Sequence, residues 1–111
     1  MAEWDTVVEG AHVVVTAPAR LTLTNASRLK GLVDQTVRDH PPRVVIDLSG
    51  TEFVDSSGLG ALVGGLKSAR QAGGDLRLAG AGDQVRMVLG LTNLDRVLRS
   101  YDDLAAAVGD W

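Results

Sequence analysis

One short stretch restricts the fold of this chain more than any other, residues 43–48, RVVIDL. Val44, Val45 and Ile46 follow one another without an intervening polar residue. A strand with apolar side chains on both faces is typical of the middle of a parallel sheet covered by helices on both sides. Strand and helix patterns alternate along the rest of the chain, which implies right-handed crossovers and an α/β fold.

The segments before this strand predict a hairpin and a helix. Residues 4–8 and 12–16 are rich in β-branched side chains and are separated by Glu9 and Gly10, which predicts two antiparallel strands. A first helix is expected from a cap at Thr24 or Asn25 to the break at His40-Pro41-Pro42. Its apolar positions have helical spacing and are Leu29, Leu32, Val33 and Val37.

The segments after the central strand predict three more helices and two more strands. The second helix starts near Ser57 and ends around Gln71, and a strand follows at residues 76–79. The third helix is expected from a cap at Asp83 to Asn93, followed by a short strand at residues 97–100. Asp102 or Asp103 caps the last helix. The prediction is one domain over residues 1–111, with a small, mixed, mostly parallel sheet of four or five strands and about four helices.

Composition and charge exclude several classes of function. The chain has 111 residues, no cysteine and a net charge of -3, with its 11 basic residues scattered among 14 acidic ones. A nucleic-acid surface normally concentrates basic and aromatic residues, so direct binding to DNA or RNA is disfavoured. No apolar stretch approaches the roughly 18 residues of a membrane span. We therefore expect a cytoplasmic protein whose partner is another protein.

Catalytic, metal and cofactor sites are also disfavoured. A serine hydrolase would pair Ser56 or Ser57 with His12 or His40, but the serines lack the G-x-S-x-G pattern because position 54 is Val. Two isolated histidines make no metal-ligand cluster. The glycines of residues 80–82 resemble a dinucleotide loop, whose third glycine is absent. The sequence predicts a protein that is not an enzyme, with no catalytic residue, no metal and no cofactor.

The start of the second helix carries more capping residues than a helix needs. Asp55, Ser56 and Ser57 stand in a row, and one of them is expected to be the N-cap. Helix starts expose unpaired N–H groups and the positive end of the helix dipole, so a phosphate on a serine there is tolerated by the fold. Such a phosphate would add about -1.5 to -2 charges at one surface point. The row of caps therefore predicts a modifiable serine.

The same helix is rich in glycine. Gly60 and Gly64 are four residues apart and share a face, with Gly58 and Gly65 nearby. The opposite stripe, which is expected to face the core, consists of Leu59, Leu62, Val63 and Leu66. Interior glycines cost about 1 kcal/mol each relative to alanine. Two explanations remain open, close packing inside the fold and close approach of another protein.

The motif D-S-S-G-L follows the strand V-V-I-D-L, and the segments have a characteristic order across nearly the whole chain. In these features residues 44–98 resemble the STAS domain of bacterial anti-sigma factor antagonists. The resemblance implies phosphorylation at Ser56, the serine directly after the aspartate. It also implies a partner surface around that serine, made of Asp55, Ser56, Ser57, Gly58, Leu59, Gly60, Gly64, Arg20 and Thr22.

The resemblance further implies a cycle that controls transcription by partner switching. The unphosphorylated antagonist binds an anti-sigma factor that is also a serine kinase of the GHKL ATPase type, and this releases a sigma factor. The kinase uses ATP and Mg²⁺ to phosphorylate Ser56, which ends the interaction. A PP2C-type phosphatase restores the unmodified form.

One segment departs from the family pattern. Antagonists carry Gly-Glu-Leu-Asp or a close variant after the second strand, where this chain has Ala19-Arg20-Leu21-Thr22. The exchange of two acids for one base leaves three alternatives: a different choice of kinase, no use of the phosphorylation switch, or pairing of Arg20 with a phosphate on Ser56. A rival expectation is a STAS subunit of a transporter or another signalling complex without the phosphorylation switch. A small serine hydrolase is a third class.

Overall fold

The computed structural model describes residues 5–111 as seven strands and four α-helices. The strands are β1 Asp5–Glu9, β2 His12–Thr16, β3 Arg20–Leu21, β4 Arg43–Asp47, β5 Phe53–Val54, β6 Asp75–Ala79 and β7 Ser100–Tyr101. The helices are α1 Ala26–Asp39, α2 Ser56–Gln71, α3 Asp83–Leu91 and α4 Leu104–Ala107, and a 3₁₀ turn spans Leu94–Arg96. None of these helices is long and apolar enough to cross a bilayer.

The main sheet has five strands in the order β1-β2-β4-β6-β7. β1 is antiparallel to β2, and all other pairs are parallel. β4 lies in the middle, with Val45 between Val14 of β2 and Arg77 of β6. The predicted fold class, hairpin and central parallel strand are confirmed.

The two faces of β4 belong to different apolar clusters. Val44 and Ile46 point into the main core, which α1 and α2 cover, whereas Val45 belongs to a smaller cluster with Ala79 and Ala107 on the other face. The hydroxyl of Ser68 on α2 donates a 2.5 Å hydrogen bond to Asp34 on α1. The main core also contains Val13, Val15, Leu29, Val33, Leu62, Leu66, Leu76 and Leu78.

A buried arginine holds the C-terminal turn on the second face. Arg77 is only 4% exposed, and its guanidinium donates to the carbonyl of Ala107 at 2.7 Å and to both carboxylate oxygens of Asp110. The same group lies 3.9 Å from the centre of the Trp111 ring. These hydrogen bonds pair most of the N–H donors of the buried guanidinium, and the ring adds a cation–π contact. The short helix α4 is thereby fixed to a sheet face that α1 and α2 leave uncovered.

Several predicted boundaries need correction. Helix α3 has Gly82 as its cap, and Asp83 is its first residue with no capping hydrogen bond. The strand predicted at residues 97–100 is β7 at Ser100–Tyr101, because the chain first forms the 3₁₀ turn. Asn93 has the expected left-handed conformation, with φ 59°. Of the two predicted caps of α4, Asp102 and Asp103, the structure has Asp103, which accepts from the N–H of Ala106.

Two further predictions concern the N-terminal half. Asn25 is the cap position of α1, but its side chain makes no capping hydrogen bond. The first predicted strand began at Trp4, which lies outside the described residues, and β1 is described from Asp5 onward.

Candidate functional site

The predicted phosphorylation site lies beside a two-stranded ribbon that the sequence did not predict. β3 and β5 pair in parallel, with Arg20 opposite Phe53 and Leu21 opposite Val54. The carbonyl of Leu21 accepts a hydrogen bond from the N–H of Asp55 at 3.2 Å. On the other edge of β5, the Gln84 side chain accepts from the N–H of Val54 at 3.0 Å and donates to its carbonyl at 3.2 Å. The start of α2 is thus held from two sides, by the loop after β2 and by α3.

Asp55 is the cap of α2 and a tie to the loop before α1. One carboxylate oxygen accepts from the N–H of Gly58 at 2.9 Å, and the other accepts from the N–H of Leu23 at 3.1 Å. These hydrogen bonds, that from Gly58 foremost, lower the pKa of Asp55 below its ordinary value because they favour the ionised form. The prediction that one residue of the row caps the helix is confirmed for Asp55.

The two serines that follow are not engaged in this way. Ser56 is the exposed first residue of α2, and Ser57 behind it is half-buried. Within residues 5–111, neither hydroxyl takes part in a hydrogen bond. The Ser56 hydroxyl is therefore accessible at a helix start whose backbone N–H groups point toward the same surface.

The glycines of α2 fall into two groups, which resolves the two open explanations. Gly58 is buried, and a Cβ there would collide with the carbonyl oxygen of Leu21 and lie 2.7 Å from a methyl carbon of Val54. Gly65 is also buried, with a methyl carbon of Leu76 3.1 Å from the position of its missing Cβ. Close packing therefore explains these two glycines.

Gly60 and Gly64 are different. A Cβ on the exposed Gly60 would meet no atom within 4 Å, and one on Gly64 would meet only the aliphatic part of Lys30, at 3.7 Å. Internal packing does not require glycine at either position. The prediction that Gly58 and Leu59 belong to the partner surface needs correction, because Gly58 is buried and Leu59 is only 5% exposed. Both residues shape the site from beneath.

The loop between β3 and α1 has its own buried support. Asn25, 7% exposed, donates from its side-chain amide to the carbonyl of Arg20 at 2.7 Å and accepts from the N–H of Thr22 at 3.1 Å. The Asn25 side chain is therefore used to close this loop, which explains why it makes no cap for α1. Leu23 at the tip of the loop is 77% exposed. Sequence reasoning missed Leu23 because a single apolar residue in a loop has no periodicity.

Thr22 lies on this loop, and Arg20 lies in β3 directly before it. The Arg20 guanidinium lies 4.6 Å from the centre of the Phe53 ring, a cation–π contact. In the part of the chain that the structure describes, Arg20 has no carboxylate within ion-pair distance. Pairing of Arg20 with a phosphate on Ser56 stays a prediction.

The structure does not assemble the hydrolase alternative. His12 opens β2, where it lies 3.6 Å from Glu9, and His40 follows α1 just before β4. Both histidines are at the amino ends of parallel strands, whereas Ser56 follows β5 beyond the carboxyl end of β4. Over residues 5–111 there is no group of three acidic, histidine or cysteine side chains arranged to hold a metal ion.

The hydrogen bonds of Asp55 predict a pH dependence. Because the pKa of Asp55 is lowered in the folded state, its contribution to stability is present above the ordinary value of 3.8 and is lost as pH falls through the folded pKa. The pKa values of Asp34, chiefly through Ser68, and of Asp110, chiefly through Arg77, are lowered as well. We expect the free energy of unfolding, measured with urea, to fall as the pH drops below about 4.

The matched variant for this measurement is Asp55→Ala. It lacks the Asp55 contribution at every pH, so its stability should fall less between pH 6 and pH 3 than that of the wild type. Equal losses in the two proteins would show that the carboxylate of Asp55 does not stabilise the fold.

Comparison with known proteins gives the family. The model of the STAS domain family matches residues 3–107. A Thermotoga maritima protein proposed to be an anti-sigma factor antagonist is 36% identical over 98 residues, which cover 86% of this chain and 87% of that protein. Anti-sigma factor antagonists are regulators, so this relationship agrees with the prediction of a protein that is not an enzyme.

Two solved structures show that proteins of different kinds share this fold. The crystal structure of a proposed anti-sigma factor antagonist from Thermotoga maritima matches with a TM-score of 0.87 and 31% identity, covering 96% of this chain and 92% of that chain. A sulfate transporter family protein from Wolinella succinogenes has the same fold, with a TM-score of 0.80 and 23% identity over 93% of this chain and 86% of that chain. Because the family model matches residues 3–107 of the 111 in this chain, the chain belongs to the STAS domain family.

Proposed function

We propose that this protein is an anti-sigma factor antagonist controlled by phosphorylation of Ser56. The unphosphorylated form binds an anti-sigma factor and so releases a sigma factor for transcription. Phosphorylation of Ser56 ends the interaction. The observation that carries the proposal is the exposed, unengaged hydroxyl of Ser56 at the first position of α2, directly after the capping carboxylate of Asp55.

The physics of the helix start supports a switch that acts without unfolding. The Asp55 cap takes up the N–H of Gly58, and the N–H groups of Ser56 and Ser57 have no carbonyl partner within the helix. A phosphate on Ser56 adds about -1.5 to -2 charges beside these groups and the positive end of the helix dipole. The free protein therefore accommodates the charge without unfolding. The phosphate instead changes the binding of a partner that is docked against the start of α2.

The surface next to Ser56 supports a protein partner. Gly60 leaves the exposed side of α2 without a side chain one turn after Ser56, and Gly64 adds none one turn further, so another backbone can approach this part of the helix closely. Ser57 of the helix, Thr22 of the neighbouring loop and Arg20 of β3 complete the surface. On this proposal the partner is an anti-sigma factor serine kinase of the GHKL type, and a PP2C-type phosphatase restores the unmodified protein.

A second candidate is a STAS subunit of a transporter or another complex, without the switch. Two observations favour it: the same fold in a sulfate transporter family protein, and a basic Arg20 at a position where antagonists carry an acid. This candidate predicts a binding surface that does not respond to charge at Ser56.

Capture of partners from native cell extract tests the two candidates. The baits are the wild type, Ser56→Ala and Ser56→Asp, with Ser100→Ala, which changes an exposed serine in β7, as the matched control. We expect the wild type and both alanine variants to retain a GHKL-type kinase, and Ser56→Asp to retain less because it carries a fixed charge. The captured kinase with ATP and Mg²⁺ should phosphorylate Ser56.

The opposing result is equally specific. Equal capture by all four baits, or recovery of a transporter component by all of them, would reject the switch in favour of the second candidate.

A further inference from the structure

Leu23 has a large apolar side chain that is exposed to solvent. It is 77% exposed at the tip of the loop between β3 and α1. Its neighbour Leu21 is fully buried, so the loop does contribute apolar surface to the core. A single exposed leucine is common on protein surfaces and has no functional meaning alone. Leu23 differs from such residues in two respects: hydrogen bonds fix its backbone, and it lies on the same surface as Ser56.

The backbone around Leu23 is fixed by hydrogen bonds on both sides. The N–H of Leu23 donates to Asp55 at 3.1 Å, and the N–H of Thr22 donates to the Asn25 side chain at 3.1 Å. The carbonyl of Thr22 accepts from the N–H groups of Asn25 and Ala26 at 3.1 and 2.8 Å. An exposed side chain on a fixed backbone loses less entropy on binding than one on a mobile loop.

Leu23 also shares its surface with Ser56. The carboxylate of Asp55 bridges the N–H of Leu23 and the N–H of Gly58 in the first turn of α2, and Ser56 is the next residue along the chain. Asp55 is thus a positioning residue that holds the loop and the helix start together. A partner that covers Ser56 meets Leu23 on the same surface.

The charge beside this surface specifies the partner further. The Arg20 guanidinium lies on the Phe53 ring, on the ribbon that leads to Ser56, and has no carboxylate partner in the described chain. A guanidinium in this position can make paired hydrogen bonds with a carboxylate of another protein. A lysine or arginine of the partner would be repelled at the same point.

We propose that Leu23 is the apolar anchor of the docking surface around Ser56, and that its occupant is a protein with an apolar pocket for this leucine and a carboxylate for Arg20. The proposal rests on the proposed function in that it takes the Ser56 surface to bind a protein. It adds the anchoring contact and the chemistry of the partner's side of the interface.

The chain offers a matched control for the test. Leu91 is also 77% exposed, but it is the last residue of α3, seven residues beyond Gln84, which contacts β5. At 1.5 Å per residue, this places it about 10 Å along the helix from that contact. The partner identified by the capture experiment, purified, is titrated with the wild type, Leu23→Ser and Leu91→Ser by calorimetry.

We expect Leu23→Ser to weaken binding at least tenfold and Leu91→Ser to change it less than twofold. Arg20→Glu should also weaken binding at least tenfold, and Arg20→Gln less. Both leucines are exposed, so the melting temperatures of the two serine variants should stay near that of the wild type, which shows that they are folded. Equal effects of the two leucine variants would overturn the proposal.

Two further outcomes separate this proposal from the proposed function. If Leu23→Ser weakens binding but phosphorylation of Ser56 does not, the anchor stands and the switch fails. If phosphorylation releases the partner but Leu23→Ser binds as the wild type does, the anchor fails alone. A wild type that dimerises in sedimentation experiments, with Leu23→Ser monomeric, would also overturn the proposal, because the occupant would then be a second copy of this chain.

Discussion

Phosphoserine placed at position 56 is expected to weaken binding to the anti-sigma factor at least a hundredfold. Ser56 is exposed in the free protein, but a partner that covers the start of α2 must remove water from it. Burying an unpaired charge costs several kcal/mol, and a hundredfold loss needs only about 2.7 kcal/mol. The measurement compares the dissociation constants of unmodified protein and protein with phosphoserine incorporated stoichiometrically at this position.

The stability of the same sample is the control that separates release from unfolding. Because the helix start accommodates negative charge, the phosphorylated protein should melt within a few degrees of the unmodified protein. Ser56→Asp should fall between the two forms in affinity, since it carries one charge on a shorter side chain. A phosphorylated protein that binds as tightly as the unmodified protein would exclude the switch, whatever its melting temperature.

The sequence predicted the parts of this fold that local patterns determine. Val44, Val45 and Ile46 identified the central strand because a short apolar run between turn-forming residues is typical of a strand buried on both faces. The helical spacing of α1 was predicted in the same way, and the cap of α4 was narrowed to Asp102 or Asp103, of which the structure has Asp103. Sequence patterns are sufficient to predict structure that depends on residues close to one another along the chain.

The site depends on contacts that local rules do not contain. β3 and β5 have two residues each, too few for any period to appear, and they pair across 33 positions of sequence. The second role of Asp55, its bond to the N–H of Leu23, spans 32 positions. Sequence reasoning therefore identified Asp55 and Ser56 as a helix start but gave no sign of Leu23, and it could not separate the buried glycines of α2 from the exposed ones.

The difference between the buried Gly58 and the exposed Gly60 gives the second large effect. Substitution by alanine should change the free energy of unfolding in opposite directions at these two positions of α2. Gly58→Ala should lower the free energy of unfolding by about 2–3 kcal/mol, the upper range for overpacking. Its Cβ collides with the carbonyl of Leu21, which cannot retreat without breaking its hydrogen bond from the N–H of Asp55. Gly60→Ala should raise the free energy of unfolding by up to about 1 kcal/mol, because the position is open and alanine is the better helix former.

Urea unfolding of both variants checks the two signs, and loss of stability in Gly60→Ala would contradict the open environment seen at that position. The same variant then tests why an open position carries glycine at all. If a partner backbone packs against the exposed side of α2 at Gly60, the added methyl group of Gly60→Ala must weaken binding while it stabilises the free protein. A variant that is more stable and binds equally well would place the docking surface on the Leu23 loop alone, away from the outer side of α2.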